Sequence, residues 1–427
     1  MIGATMLGEK MFGGRMLRRR TGGAATGAGR PRGRSPRSRR SRITAAAVGA
    51  ALALAAPMAS ASAATGPDHA QGPKGTGKPL TVMTRNLYLG GDVNRPINAT
   101  AGLSGLEALL AFANTNDALW NTVVQTNFPV RARLLAHEIA TEAPDVVGLQ
   151  EVALWRHGPL ELDKIAVPNA EIVDYDFLAI LQSELAAAGA HYAVANVQQE
   201  ADVEAPAFSG FLVNARDVRL TMRDALLVKV DPGLTVLASG GGNYDHRFSV
   251  SLQNYSFVFK RGYNWADLRV GSVTTRVVNT HLESASSDVA LDQIKELIGG
   301  PADTSRPTVV VCDCNSDPLN HSVKPIDHVG HSAPYDWITS HGFTDEWLQF
   351  KPAEEGWTSG LSETVNDTST AGFDHRIDMV FGRKAGGGGF DVDKGAITGN
   401  QLSDRDPTTG LWPSDHAGVV LRLRSLS

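Results

Sequence analysis

The chain has 427 residues, of which 42% are hydrophobic and 20% charged; this excludes a disordered or low-complexity polymer and leaves enough chain for one large α/β core. Two cysteines exclude a disulfide-dense scaffold. The net charge of −5 is uneven: residues 1–42 carry +11 and residues 43–64 carry none, so the remainder carries −16, and an acidic body disfavours a tight binder of duplex DNA.

In chain order, residues 1–64 are predicted to be a signal peptide. A long basic n-region ends in SPRSRRSR, an uncharged apolar stretch covers 43–58, and Ala61-Ser62-Ala63 supplies the small residues that a signal peptidase admits. The stretch is too short and too Ala-rich for a permanent membrane span. The protein is therefore expected to be secreted, to the extracellular space or the cell surface of a bacterium. The Sec route serves; Arg39-Arg40 leaves the twin-arginine route open. Residues 65–79, rich in Gly and Pro, are expected to form a flexible linker.

The folded domain is placed at 80–427 and opens with a strand over 80–84. Apolar residues at helical spacing over 102–142 predict helices, and the segment near 90–129 reads as a helical insertion. DVVGLQEV is a buried strand ending in acid, and 175–188 is an amphipathic helix. β-rich runs follow at HYAVANV, SGFLVN, RLTMRDALLVKV, FSVSLQNYSFVF, DLRVGSVTTRVVNTHL and RPTVVVCDCN. Asp231-Pro232-Gly233 and the triple glycine at 240–242 read as turns. Helices are expected at 289–298 and near 335–342, and the last strands at 376–381 and 417–423. Strands with interspersed helices, in two rough halves, predict an α/β fold. Its form is a four-layered α/β sandwich, two mixed β-sheets face to face with helices outside, the polar strand ends meeting at one rim. Cys312 and Cys314 share one face of a strand. They are expected to be buried thiols, because a disulfide closing so small a loop would be strained.

Six polar motifs close apolar runs in one order: Asn86 in TVMTRNL, Gln150-Glu151 in PDVVGLQEV, His281 in RVVNTHLES, Asp313 and Asn315 in VVVCDCNSDP, Asp378 in HRIDMVF, and Ser414-Asp415-His416 before the last strand. Metal-assisted phosphoester hydrolysis needs a cation on the phosphoryl oxygens, a base for water, donors for the equatorial oxygens and help for the leaving group. Glu151, a charge at the exit of a buried strand, is the best candidate metal ligand. Asn86 and Gln150 are carboxamides able to ligate or to orient ligands. Asp313 and Asn315 flank Cys314 and are expected to share a face, as base and phosphate-oxygen donor. Asp378 is placed to hold the His416 imidazole in one tautomer.

With these motifs, residues 80–425 resemble the endonuclease/exonuclease/phosphatase superfamily, which includes pancreatic-type deoxyribonucleases, abasic-site endonucleases, bacterial neutral sphingomyelinases and inositol-polyphosphate phosphatases. The resemblance implies the four-layered sandwich and a Mg²⁺ cofactor, with Mn²⁺ as the alternative. It implies Asp313, Asn315, His281, His416 and Asp378 as catalytic residues. Glu151, Asp415 and Asn86 then fall at the metal, with Gln150 and Ser414 behind them. The family's GDFN is CDCN here, and Asp92 is a weak candidate for a second ligand from the first strand. The function so implied is a secreted Mg²⁺-dependent phosphoester hydrolase, phosphodiesterase or phosphatase, using in-line attack of water. A nuclease, a sphingomyelinase-type lipid phosphodiesterase and a catalytically dead binding module of the same fold stay open. The expected partner is a phosphoester substrate, as small molecule, lipid headgroup or nucleic acid; a monomer with no obligate protein partner is expected. Two features bear on substrate: basic residues at 216, 219, 223, 247, 260, 261, 269 and 276, and the aromatic run Tyr255, Phe257, Phe259, Tyr263, Trp265.

Overall fold

The computed structural model describes residues 77–426 apart from 211, 253 and 254. The segment expected to be a signal peptide, 1–64, and the expected linker over 65–79 as far as residue 76 lie outside the described residues. In chain order the elements are β1 (Leu80–Asn86), α1 (Asn94–Asn98), α2 (Gly105–Gln125), α3 (Phe128–Glu142), β2 (Val146–Gln150), β3 (Leu154–Gly158), β4 (Ile172–Asp176), α4 (Phe177–Ala187), β5 (Tyr192–Ser209) and β6 (Val213–Lys229). Then come β7 (Leu234–Asn243), β8 (Phe248–Leu252), β9 (Tyr255–Phe259), β10 (Gly262–Val270), β11 (Val273–His281), α5 (Ser287–Gly299), β12 (Thr308–Asp313), α6 (Ala333–Ser340), β13 (Thr344–Asp345), α7 (Glu346–Phe350), β14 (Asp378–Arg383), β15 (Asp391–Thr398) and β16 (Gly418–Arg424).

Period-two burial on the central strands builds the layers. Val82, Val146 and Leu226 of one sheet pack against Val277, Val309 and Val311 of the other. The alternate residues point outward: Met83, Val147 and Leu149 meet α3 and α4 through Leu135, Ile139, Phe177 and Leu181. Val278, Val310 and Met379 meet α5 and α6 through Ile294, Leu297 and Ile338. The result is the expected sandwich, with helices on both outer faces.

Among the described residues one sheet has eight strands, ordered β15-β16-β1-β2-β6-β3-β4 with β5 on β6, and the facing sheet six, ordered β13-β14-β12-β11-β10-β7. Each has a parallel pair at its heart, β1 with β2 and β11 with β12, flanked by antiparallel neighbours. Gly148 of β2 is required by the close approach of the sheets: a Cβ there would lie 2.5 Å from Asn279 Oδ1 and from Val311 Cγ2.

Three expectations are corrected. The triple glycine at 240–242 is inside β7, paired with β10, not in a turn. Cβ atoms at 240 and 241 would meet the Trp265 ring and the Tyr263 carbonyl at 2.9 Å, so the glycines answer close packing. SGFLVN is not one separate strand: its Ser209 ends β5 and its Val213 and Asn214 open β6. Cys312 and Cys314 are joined in a disulfide. β12 stops at Asp313, so the chain leaves the strand before Cys314 and the two Cα atoms close to 5.1 Å, inside the range that a disulfide spans even across this small loop.

Candidate active site

The parallel pairs deliver the motifs to one rim. Asn86 sits beside Gln150 in the β1–β2 register and His281 beside Asp313 in the β11–β12 register. Asp378 opens β14 opposite Asp313. Where β1, β2 and β12 end, Tyr88, Glu151 and Asn315 take left-handed backbone conformations, with φ of 59°, 54° and 42°. Such strain in non-glycine residues persists only where surrounding contacts over-determine it. Here it swings the chain out of each strand direction at the rim.

Asp313 is the hub. Its Oδ2 accepts from Asn86 Nδ2 at 2.8 Å and lies 3.5 Å from His281 Nε2 and 3.8 Å from His416 Nδ1. Its Oδ1 accepts the Asn315 N–H at 3.1 Å. Burial first, then the Asp378 and Glu151 carboxylates, push the Asp313 carboxyl up to about 7, against the pull of His416 and the Asn86 bond. His416 Nδ1 bonds Asp378 Oδ2 at 2.8 Å. Burial opposes its charged form, but Asp378, Asp415 and Asp313 together outweigh burial and raise His416 to about 10. His281 goes the other way: burial, then Arg261 and His416, hold it well below the usual imidazole range.

Contacts therefore unite Asn86, His281, Asp313, Asn315, Asp378 and His416. Asp415 joins them, its Oδ1 3.9 Å from His416 Nε2, and the Ser414 hydroxyl accepts the His416 N–H at 3.1 Å. Glu151 anchors the loop after β1, its Oε2 accepting the Leu89 N–H at 2.7 Å. Asn315 spends one Nδ2 proton on the Leu282 carbonyl at 3.0 Å. Gln150 does not face the rim. It is fully buried between the sheets, where Nε2 donates to Asn279 Oδ1 at 2.6 Å and Thr84 Oγ1 at 3.0 Å, so it braces β2 against β11. Asp92 spends Oδ1 on the Asn94 N–H ahead of α1.

The donors present fit a hard divalent cation. Asp378 Oδ1 is buried without a hydrogen-bond partner, and the Asp313 and Asp378 carboxyl groups stand together at the rim with the His416 imidazole on Asp378. Asp415 spends Oδ1 on a 3.4 Å contact with Ser414 Oγ. Carboxylate and carboxamide oxygens in a buried rim are the ligand class that Mg²⁺ and Mn²⁺ select.

Several supporting residues carried no sequence signal. Arg131 of α3 is fully buried and donates to the carbonyls of Thr126, Leu87, Tyr88 and Pro413, tying the first motif to the last. Arg85 donates to the His416 carbonyl and, at 3.0 Å, to Glu138. Thr358 Oγ1 accepts the Ile377 and Asp378 N–H groups, and its carbonyl accepts the Ala417 N–H at 2.6 Å. A charged in-helix Arg and a loop Thr look like surface residues until the fold brings the loops over them.

The arginines considered for a phosphate-binding surface are largely spent. Arg216 pairs with Asp117, Arg219 with Asp202, Arg223 with Asp176 and Arg276 with Asp267. Phe257 is buried and meets Phe112 of α2 at 5.8 Å between ring centroids, while Tyr255 remains exposed.

Comparison with known proteins gives one family. The profile of the Endonuclease/Exonuclease/phosphatase family matches residues 118–416. Solved structures similar to this chain include an endonuclease/exonuclease/phosphatase family protein from Leptotrichia buccalis, with 15% identity, 81% of this chain and 99% of that chain covered, and a TM-score of 0.46. A humanized D. rerio TDP2 has 16% identity, coverage of 81% and 99%, and a TM-score of 0.45. An endonuclease/exonuclease/phosphatase from Beutenbergia cavernae has 21% identity, coverage of 81% and 72%, and a TM-score of 0.44. No curated protein matches the sequence.

Proposed function

We infer, from the premise that this chain belongs to the endonuclease/exonuclease/phosphatase family of metal-dependent phosphoester hydrolases, that it is an exported, Mg²⁺-dependent enzyme hydrolysing phosphoesters by in-line attack of water. The observation that carries this reading is the convergence on Asp313 Oδ2 of Asn86, His281 and His416, with Asp378 behind the last imidazole.

In this reading Asp313 takes the proton from water; a carboxyl raised to about 7 is matched to general-base work near neutral pH. His416, charged at neutral pH, and Asn315 donate to the phosphoryl oxygens as negative charge builds on them. Asp378 keeps the His416 ring oriented. Glu151, Asp415 and Asn86 would hold the cation, which supplies Lewis-acid neutralisation of the phosphoryl group. The N-terminal basic and apolar segments support export. The acidic body and the ion-paired arginines favour a small or single phosphoester group over duplex DNA. The test is a substrate panel: p-nitrophenyl phosphate, bis(p-nitrophenyl) phosphate, inositol phosphates, sphingomyelin and DNA, each with Mg²⁺ and with EDTA. Turnover of one or more phosphoesters only with metal supports the reading; no turnover of any sinks it in favour of a binding module.

A further inference from the structure

His281 is contacted on both ring nitrogens by groups of known hydrogen-bonding character. Arg261, just before β10, brings Nη1 to 3.0 Å from His281 Nδ1. A guanidinium has five N–H donors and no acceptor, so Nδ1 must be the acceptor in that contact. A neutral imidazole accepting at Nδ1 carries its proton on Nε2. That second nitrogen lies 3.5 Å from Asp313 Oδ2, at the centre of the site.

The guanidinium is itself held. Its Nε lies 3.7 Å from Glu283 Oε2 and its Nη1 3.9 Å from Glu200 Oε2. Glu200 is fixed in turn by the Gly262 N–H, donating to Oε1 at 2.9 Å. Glu200, Asp224 and His281 offer atoms within 4.8 Å of one another, and both Asp224 oxygens are buried without a partner. A neutral imidazole can carry its one proton on either nitrogen. Arg261 removes the choice: it occupies the Nδ1 lone pair, so the proton stays on Nε2.

We propose that Arg261 is a positioning residue for the hydrolysis, fixing His281 as the neutral Nε2–H tautomer. His281 then serves as a hydrogen-bond donor at the reacting phosphoryl group and never as the acid that protonates the leaving group. This rests on the phosphoester reading for its catalytic meaning, but the tautomer itself does not. The groups facing His281 are Arg261, Glu200, Asp224, Asp313 and His416, with Glu283 behind Arg261. Loss of Arg261 frees Nδ1 and opens the Nδ1–H tautomer, with Glu200 and Asp224 within reach of the ring as acceptors.

The experiment is nitrogen-15 NMR of the full chain labelled at histidine, with the His281 signals assigned by their loss in His281→Gln. The expected result is a neutral ring with a protonated Nε2 and a bare Nδ1. Arg261→Met should populate the Nδ1–H tautomer. It should also lower kcat by about 10–100-fold with little change in KM, the cost usual for removing a group that orients a catalytic ligand. Arg261→Lys, which keeps a cationic donor, should restore the Nε2–H tautomer in part. A wild-type His281 protonated at Nδ1 overturns the proposal whether or not Arg261→Met folds, and so does a folded Arg261→Met whose ring keeps the wild-type tautomer. Absence of turnover on every phosphoester, with the tautomer as expected, would instead fail the phosphoester reading alone.

Discussion

Replacing Arg131 by Met should loosen the site without touching any residue assigned to chemistry. The wild-type guanidinium donates to four backbone carbonyls, those of Thr126, Leu87, Tyr88 and Pro413, at 2.6–3.1 Å. Hydrogen bonds to a charged donor contribute about 1.5 kcal/mol or more each, so losing four costs about 6 kcal/mol. Burial of the charge offsets part of this. Desolvation, joined by Arg85 and only partly countered by Tyr88, Asp415 and Glu151, lowers the Arg131 pKa to about 10, a net cost of about 3 kcal/mol that Met would not incur. The net loss is about 3 kcal/mol, or roughly 6 °C in melting temperature at about 2 °C per kcal/mol for a domain of this size. Differential scanning calorimetry reads the stability and steady-state kinetics the site. We expect kcat to fall at least about tenfold, because the Asn86 loop and the Ser414-Asp415-His416 loop lose their common anchor and misplacement of reacting groups is costly. A variant melting within a degree of wild type with unchanged kcat would refute the reasoning.

Asp313→Ala should lower kcat by about 10²–10⁴-fold in the same steady-state assay, the range for loss of a general base; near-normal turnover would remove Asp313 from that role. In the pH profile, His416 raised to about 10 places its deprotonation on the alkaline limb. Asp378→Asn removes the nearest carboxylate that raises it, so that limb should move to lower pH; a limb that stays put would dissociate it from His416. The linkage has the same sign: a raised histidine adds stability that is full below its unfolded value of about 6.5 and lost as pH rises through about 10. Thiol titration of the denatured, unreduced protein should find no free thiol, because Cys312 and Cys314 are joined. Closing so short a loop confers at most about 2 kcal/mol, so Cys312→Ser/Cys314→Ser should fold with only a modest drop in melting temperature; two free thiols in the wild type would return the cysteines to the buried-thiol reading.

The strands that carry the motifs were legible because they are buried on both faces and read as continuous apolar runs, as in TVVVCD before Asn315. The helices α2 and α3 were legible from their period. Strands β3, β4 and β15 were not, since LWRHG, IVDYD and DVDKGAIT mix charge with short apolar stretches and owe their pairing to neighbours supplied by the fold. The candidate catalytic groups stood out by type and position. Their supports did not: Arg131, Arg261 and Thr358 matter through backbone carbonyls, a ring nitrogen and backbone amides that only tertiary structure brings within reach. Gln150 shows the converse. Its place beside Glu151 made it look like a ligand-orienting residue, yet the pleat turns it into the space between the sheets.

The most direct measurement is the initial rate of phosphoester hydrolysis by chelator-stripped protein as Mg²⁺ is added back, run for wild type and Glu151→Gln. Wild type should be silent without metal and recover saturably, and Glu151→Gln should need far more Mg²⁺ or stay silent. A rate indifferent to chelation, or a Glu151→Gln curve that overlays wild type, would contradict a cation-centred site at this rim.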